Sequence, residues 1–215
     1  MNFNTHSELE GKHAPLSPSK ISWGNYDEPT LVQRYISSFA SEVGTILHDF
    51  ARKLIDNRMK LTEQDKKMMI FQLLDKGIPG FVVNDLDSSM IFTTVKTYVN
   101  DAIGFRMSPE ILLKYSDYCF GTTDAISFND KQKFLRIHDL KTGGTPTHME
   151  QLERYAALFC LEYNFQPSDI QTELRIYQSQ DIVISTPDPK VIFDTMNLII
   201  TDSAILEKLE TGKLR

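Results

Sequence analysis

Two aspartates and a lysine stand where short apolar segments of the sequence end. Asp139, Leu140 and Lys141 close the apolar run 134–137, and Asp124 lies fifteen residues before Asp139. Because residues i and i+2 of a strand point to the same face of a sheet, we expect Asp139 and Lys141 to project together. Two carboxylates, with the backbone carbonyl of Leu140, are hard oxygen ligands that suit Mg²⁺ or Mn²⁺.

The lysine adds an ammonium group to these oxygen ligands. Such a group can orient an attacking water and offset the negative charge that develops on a phosphate. With a divalent cation, the set is equipped to hydrolyse a phosphodiester bond. Taken alone, Asp139 and Lys141 are equally compatible with an exposed ion pair at the end of a strand.

Two helical patterns add further candidates. Gln151 and Tyr155 are four residues apart and share one face of a predicted helix. Tyr155 could also be half-buried against the sheet with its hydroxyl satisfied. His48 follows Gly44 on a mostly apolar helical face, where a histidine of the core and a metal ligand are both open. His138 should point to the face opposite Asp139, and we expect it to be structural.

In their order along the chain, these elements resemble the PD-(D/E)XK nuclease superfamily. They are most similar to its RecB-like exonuclease branch, whose stand-alone members are common in phages. The matching elements are the helix Gly44-x-x-x-His48, Asp124, Asp139-Leu140-Lys141 and Gln151-x-x-x-Tyr155. The resemblance covers roughly residues 15 to 180. Thr123, where the superfamily often has proline, precedes Asp124.

The resemblance assigns a role to each matching residue. Asp124, Asp139 and Lys141 would be catalytic, and Gln151 and Tyr155 would bind the substrate. The ligands of Mg²⁺ or Mn²⁺ would be His48, Asp124, Asp139 and the Leu140 carbonyl. The implied activity is a metal-dependent DNA nuclease, favoured as an exonuclease that acts from DNA ends in phage or bacterial recombination or repair.

Other functions and partners stay open at this point. A structure-specific endonuclease would use the same residues, and a DNA-binding or assembly protein could retain a vestigial site. DNA is the expected partner, and a recombinase, annealing protein or helicase would be a separate chain, because the sequence has no NTPase phosphate loop. The pattern does not decide whether the chain forms a homo-oligomer.

Composition limits the class of protein. The chain has 215 residues, a net charge of −6 and two cysteines, Cys119 and Cys160. Two cysteines cannot by themselves hold a four-cysteine iron–sulfur cluster, so none is expected. No secretory signal and no membrane-length apolar run is visible, which favours a cytoplasmic protein without a membrane partner. The acidic charge is unusual for a DNA enzyme and argues against a uniformly basic surface.

Apolar periodicity predicts an α/β fold. We expect one domain over 1–215, with a loose arm over 1–14, a helical section over 15–105, a sheet core over 106–186 and a C-terminal helix over 187–215. The superfamily resemblance implies a restriction-endonuclease-like sandwich, with a mixed sheet flanked by helices. The predicted helices span residues 29–57 (one helix or two joined near Gly44), 88–103, 147–163 and 187–209, and a shorter helix opens at Thr62 and ends by Gly77. The predicted strands are 111–120, 122–128, 133–141, 170–177 and 181–185.

Overall fold

The computed structural model describes residues 4–144 and 148–212. The chain forms two compact units, Met1–Ser41 and Glu42–Arg215. The first unit contains two short 3-10 helices, Ser7–Leu9 and Ile21–Asn25, and the helix α1, Glu28–Ser37. Asp27 caps α1, since its side chain accepts the Thr30 backbone N–H at 3.0 Å.

The second unit carries most of the helices and all the described strands. Its helices are α2 (Ala40–Asp56, which begins at the unit boundary), α3 (Lys66–Asp75), α4 (Gly80–Asp85), α5 (Ser88–Gly104), α6 (Glu150–Tyr163) and α7 (Pro189–Glu210). Its strands are β1 (Ser108–Ser116), β2 (Cys119–Asn129), β3 (Phe134–Lys141), β4 (Gln171–Gln178) and β5 (Asp181–Ser185). Short 3-10 helices precede α3 (Glu63–Asp65) and β4 (Pro167–Asp169).

The five strands form one mixed sheet in the order β1-β2-β3-β4-β5. Neighbouring strands are antiparallel except β3 and β4, which are parallel. A parallel pair needs a crossover connection, and α6 supplies it. The prediction of an α/β protein with a mixed sheet flanked by helices is confirmed.

One hydrophobic core lies between one face of the sheet and the helices α6 and α7. Leu135 and Ile137 of β3 point into it, together with Leu152 and Ala156 of α6 and Ile192 of α7. Each fully buried side chain of this size contributes about 1.5–3 kcal/mol of transfer free energy. Side chains alternate along a strand, so residue 139 continues the row of Leu135 and Ile137. The core thereby fixes the face on which Asp139 lies.

The opposite face of β3 and β4 holds a buried polar chain. The Tyr177 hydroxyl donates to Asp101 Oδ2 at 2.8 Å and lies 3.2 Å from His138 Nδ1. Because the hydroxyl proton goes to the carboxylate, His138 is the donor to Tyr177. Its other nitrogen, Nε2, is buried and has no hydrogen-bond partner among the described residues. Burial, with the charges of Arg175 and Arg136, lowers the pKa of His138 to about 3. This neutral histidine of the core has the structural role predicted for it.

Three element boundaries differ from the sequence prediction. The long N-terminal helical pattern is interrupted at Ser38 and Phe39 rather than near Gly44, so that α1 ends at Ser37 and α2 begins at Ala40. The β1–β2 turn lies at Asp117 and Tyr118, so Gly121 is inside β2 and does not separate two strands. The short helix α4 was not predicted at all.

Other boundaries are close to the prediction. Thr62 and Asp65 form the predicted capping box. The helix α6 begins at Glu150; the predicted start at residue 147 falls outside the described residues. Within those residues, no helix is both long enough and apolar enough to cross a lipid bilayer.

We expect His138→Leu to flatten the pH dependence of stability. Since the pKa of His138 is about 3 when folded, its contribution is complete above the ordinary value near 6.5 and is lost as the pH falls toward 3. Near pH 5 unfolding therefore takes up one proton at this residue, which gives a slope of about 1.4 kcal/mol per pH unit. Urea unfolding of the variant over this range should lack that slope.

The exposed His148 provides the matched control. Its replacement, His148→Leu, should leave the slope of the wild-type protein in place. If His138→Leu kept the wild-type slope, His138 would not be the buried neutral group described.

Candidate active site

The candidate site forms where β2 and β3 separate. Backbone pairing between them ends at Ala125 and His138, and the next opposed positions are Asp124 and Asp139. Beyond this point the Asp124 side chain accepts the Leu140 backbone N–H at 2.7 Å, in place of a strand carbonyl. The two carboxylates thus face each other at the open end of the strand pair. This confirms that the sequence motif brings Asp124 and Asp139 together.

Asp139 is the most enclosed charged group of the site. Its side chain is 6% exposed, and Lys141 Nζ lies 3.1 Å from Oδ1 and 3.0 Å from Oδ2. Only the contact with Oδ1 has hydrogen-bond geometry, so Oδ2 is buried without a hydrogen bond from the described residues. Burial and the charge of Asp124 raise the pKa of Asp139, and Lys141 opposes this shift. The prediction that Asp139 and Lys141 share a face is confirmed.

His48 comes to this pair of carboxylates from α2. Its Nδ1 lies 3.4 Å from Asp124 Oδ1, and its side chain is 32% exposed. Burial opposes protonation, but the hydrogen bond with Asp124 and the charges of Asp124 and Asp139 raise its pKa overall. His48 is therefore not a sequestered histidine of the core.

Gly44 explains how α2 comes so near the end of β3. A Cβ at Gly44 would lie 3.3 Å from Thr142 Oγ1, which is tighter than ordinary van der Waals contact. Gly44 is one helical turn before His48, so the missing side chain lets this part of α2 approach the site. The Gly-x-x-x-His spacing thus has a packing reason in this chain.

The first turns of α6 complete the site. Gln151 Oε1 accepts a hydrogen bond from Lys141 Nζ at 3.1 Å, so the lysine is held between Asp139 and Gln151. Tyr155 is half-buried. Its ring lies over β2, where a Cβ at Gly121 would be 3.0 Å from the tyrosine Cε1. Burial and the charges of Asp124 and Asp139 raise the pKa of Tyr155. The structure therefore assembles Gln151 and Tyr155 with the Asp-Asp-Lys group.

The sequence analysis missed two neighbours of the site. Arg52 Nε lies 3.1 Å from Glu110 Oε2 and links α2 to β1, one helical turn after His48. Glu110 lies opposite Asp124 on the neighbouring strand and has a positive φ of 49°. Arg52 could have been found from its spacing, because it follows His48 by four residues and so lies on the same side of α2. The second missed neighbour is Gly121. It stands between two predicted strands, where a glycine is typical of a turn.

No protein-family model matches the sequence, and no curated protein matches it. Function must therefore be inferred from the site itself.

The donor set fits a divalent cation. Two carboxylates face each other, one of them has a buried oxygen without a hydrogen bond, and an imidazole lies beside the other. A cation would relieve the repulsion between the carboxylates and satisfy the buried oxygen. As the described side chains stand, no three of the residue types His, Cys, Asp and Glu are grouped as ligands around one point. Lys141 instead lies beside Asp139, and His48 lies beside Asp124.

One of the predicted roles is less complete. The Leu140 backbone contributes its N–H to Asp124, and metal binding by its carbonyl stays a prediction. His148 lies near Glu150, at 3.9 Å, and its side chain is 79% exposed. Asp117 pairs with Lys114 in the β1–β2 turn.

We expect Mn²⁺ to stabilise this protein through Asp139. At about one hundred times the dissociation constant, a bound cation adds about 2.7 kcal/mol, which raises the melting temperature of a chain this long by roughly 5–10 °C. Asp139→Asn should abolish this rise. In the absence of metal the same variant should melt above the wild type, because a neutral amide removes a buried charge beside Asp124. Differential scanning fluorimetry with a Mn²⁺ titration measures both effects.

Two further variants separate the metal site from general stability effects. His48→Ala should shift the Mn²⁺ titration to higher concentrations with little change in the metal-free melting temperature. Asp130→Asn, on the exposed β2–β3 turn where Asp130 pairs with Lys133, should behave as the wild type. Equal stabilisation of wild type and Asp139→Asn by Mn²⁺ would exclude Asp139 as a ligand.

We expect Gly121→Ala to act through Tyr155. The new methyl group would press on the tyrosine ring at 3.0 Å and displace it from β2. If Tyr155 contributes to substrate binding, Gly121→Ala and Tyr155→Ala should each raise the Kd for DNA. The double variant should be no worse than Tyr155→Ala alone, because both changes act on one contact. Additive losses in a double-mutant cycle would show that Gly121 does not act through Tyr155.

Proposed function

We propose that this protein is a metal-dependent nuclease that hydrolyses phosphodiester bonds in DNA. The observation that carries the proposal is the pair Asp124 and Asp139, opposed at the open end of β2 and β3, with His48 beside one and Lys141 beside the other. A mixed sheet with helices on both faces is compatible with a restriction-endonuclease-like fold, which we also propose.

The residues that would hold the cation are Asp124, Asp139 and His48, with the Leu140 carbonyl as a further proposed ligand. When bound, Mg²⁺ or Mn²⁺ polarises a phosphoryl oxygen and favours ionisation of a water. Asp124 is held for this role by the Leu140 N–H, which leaves its Oδ1 toward His48. Because Asp139 is buried, its negative charge is screened only weakly by solvent and attracts a cation strongly.

Lys141 has two tasks in the proposed reaction. Its ammonium group balances Asp139 before a cation arrives, and Gln151 keeps it from leaving the site. Once Asp139 is neutralised by a cation, Lys141 can turn to the attacking water and to the charge that develops on the phosphate. Positioning by Gln151 lowers the entropic cost of that step.

In this proposal Tyr155 contacts the phosphate next to the cleaved bond. Its hydroxyl belongs to the same cluster, as the charges of Asp124 and Asp139 act on its pKa. The raised pKa of Tyr155 keeps the hydroxyl protonated, so it can donate to a phosphate oxygen. Because the chain has a net charge of −6 and no overall basic excess, in this proposal the cation and a few donors hold DNA.

We further propose an exonuclease acting from DNA ends, in recombination or repair, with any recombinase, annealing protein or helicase as a separate chain. The test compares linear duplex DNA with closed circular plasmid in Mg²⁺ and in Mn²⁺. Degradation of linear DNA with the circle intact supports the exonuclease. Nicking of the circle would make the protein an endonuclease, and DNA binding without cleavage would indicate a vestigial site.

We expect Lys141→Ala to lose chemistry rather than affinity. Removing one group that stabilises the developing charge typically lowers kcat by about 10² to 10³-fold. One lysine is a small share of phosphate binding, so the Kd for DNA should change by less than about threefold. Single-turnover cleavage and fluorescence anisotropy give the two quantities. Lys131→Ala, in the exposed β2–β3 turn, is the matched control and should match the wild type. A loss in binding equal to the loss in rate would make Lys141 a positioning residue only.

A further inference from the structure

The outer strand β5 exposes apolar side chains at the edge of the sheet. Its three central residues, Ile182, Val183 and Ile184, are 36%, 52% and 54% exposed. β5 pairs with β4 on one side, and no described strand pairs with the other. The outer side therefore presents unpaired backbone groups next to β-branched side chains, which is a template for another strand.

The two edges of the sheet differ in how they are protected. Sheet edges normally avoid association through proline, lysine or an irregular register. At the opposite edge, β1 contains Pro109 and Lys114, and its register shifts between Lys114 and Ser116. β5 has no proline, no lysine and a regular pairing with β4, and its sequence is Asp-Ile-Val-Ile-Ser. The open edge is thus specific to β5.

We propose that β5 pairs antiparallel with β5 of a second copy of this chain, on a two-fold axis through Val183. In this register Val183 faces its own copy, and Ile182 faces Ile184 of the second copy. The one charged residue of the strand, Asp181, then faces Ser185 of the second copy, so no like charges meet. The pairing is isologous and closes after two subunits.

This register has a consequence for the candidate site. Asp139 pairs with Ile176 on β4, and Ile176 pairs with Val183 on β5. The two Asp139 residues therefore lie in one transverse row that crosses the two-fold axis. Five strand spacings separate them, about 24 Å along the twisted sheet. The dimer would set two copies of the site at a fixed spacing, whatever reaction they perform.

The short strand limits the affinity. A stable protein interface usually buries about 1,200–2,000 Å². A pair of five-residue strands offers less, so we expect a dimer with a Kd in the micromolar range. Sedimentation velocity of the full chain from about 1 to 100 µM should show a concentration-dependent shift from monomer to dimer.

The residue on the two-fold axis allows a direct test. Val183→Lys and Val183→Glu each place like charges opposite each other, and each should raise the Kd of the dimer by at least about tenfold. An equimolar mixture of the two variants should restore the dimer, because lysine then faces glutamate. Leu112→Lys, on the other edge strand and 54% exposed, is the matched control and should dimerise as the wild type.

A cysteine pair makes the test independent of the charge variants. Directly opposed residues of antiparallel strands have Cα atoms about 4.5–5.5 Å apart, which suits a disulfide. Val183→Cys should therefore form a covalent dimer on mild oxidation. Ile184→Cys, at a similar exposure, should not form a covalent dimer. In the proposed register residue 184 faces residue 182 of the second copy, and the two residues 184 are diagonal neighbours about 7–8 Å apart.

Three results would overturn the proposal. One is a wild-type protein that stays monomeric over the whole concentration range. Another is a dimer that persists in Val183→Lys and Val183→Glu, or that the mixture fails to restore. The third is equal cross-linking of the two cysteine variants. None of these results depends on nuclease activity, so a failure here leaves the proposed function standing, and an inactive protein can still dimerise.

Discussion

Asp139 holds a negative charge in a buried position, next to a second carboxylate, Asp124, on the neighbouring strand. Burying a charge is costly unless it is paired, and Lys141 supplies only part of that pairing. Burial and the charge of Asp124 still raise the pKa of Asp139, so the ionised carboxylate remains unfavourable at this position. The arrangement is therefore costly for the fold, and in the proposed function a bound cation would offset that cost. Such local cost is common where a structure is organised for chemistry rather than for stability.

The rest of the second unit keeps these charges in place. The apolar row of Leu135 and Ile137 fixes the face of β3, and the crossover helix α6 brings Gln151 to Lys141. Close approach depends on two glycines, Gly44 in α2, which faces Thr142, and Gly121 under Tyr155. The site residues thus come from four elements, α2, β2, β3 and α6, and the packing of those elements sets the distances within the site.

Local patterns predicted much of this arrangement. The shared face of Asp139 and Lys141 follows from strand alternation, and the bounds of β5 agree with its apolar run. Features that depend on contacts distant in sequence were not predictable. Gly121 was mistaken for a turn residue. The absence of a side chain at this position instead makes room for Tyr155, which lies 34 residues away in the sequence. The exposure of His48 could not be inferred from its apolar helical face. The interruption at Ser38 and Phe39 could not be inferred from the apolar periodicity, which continues through it.

The central claim is that Asp124, Asp139 and His48 form a centre for a divalent cation. A crystal soaked in Mn²⁺ tests it most directly through anomalous difference density. The account predicts a peak within about 2.0–2.6 Å of carboxylate oxygens from both Asp124 and Asp139, with His48 turned to it and Lys141 displaced from Asp139. A site that binds no Mn²⁺ at saturating concentration, with Lys141 still on Asp139, would contradict the account.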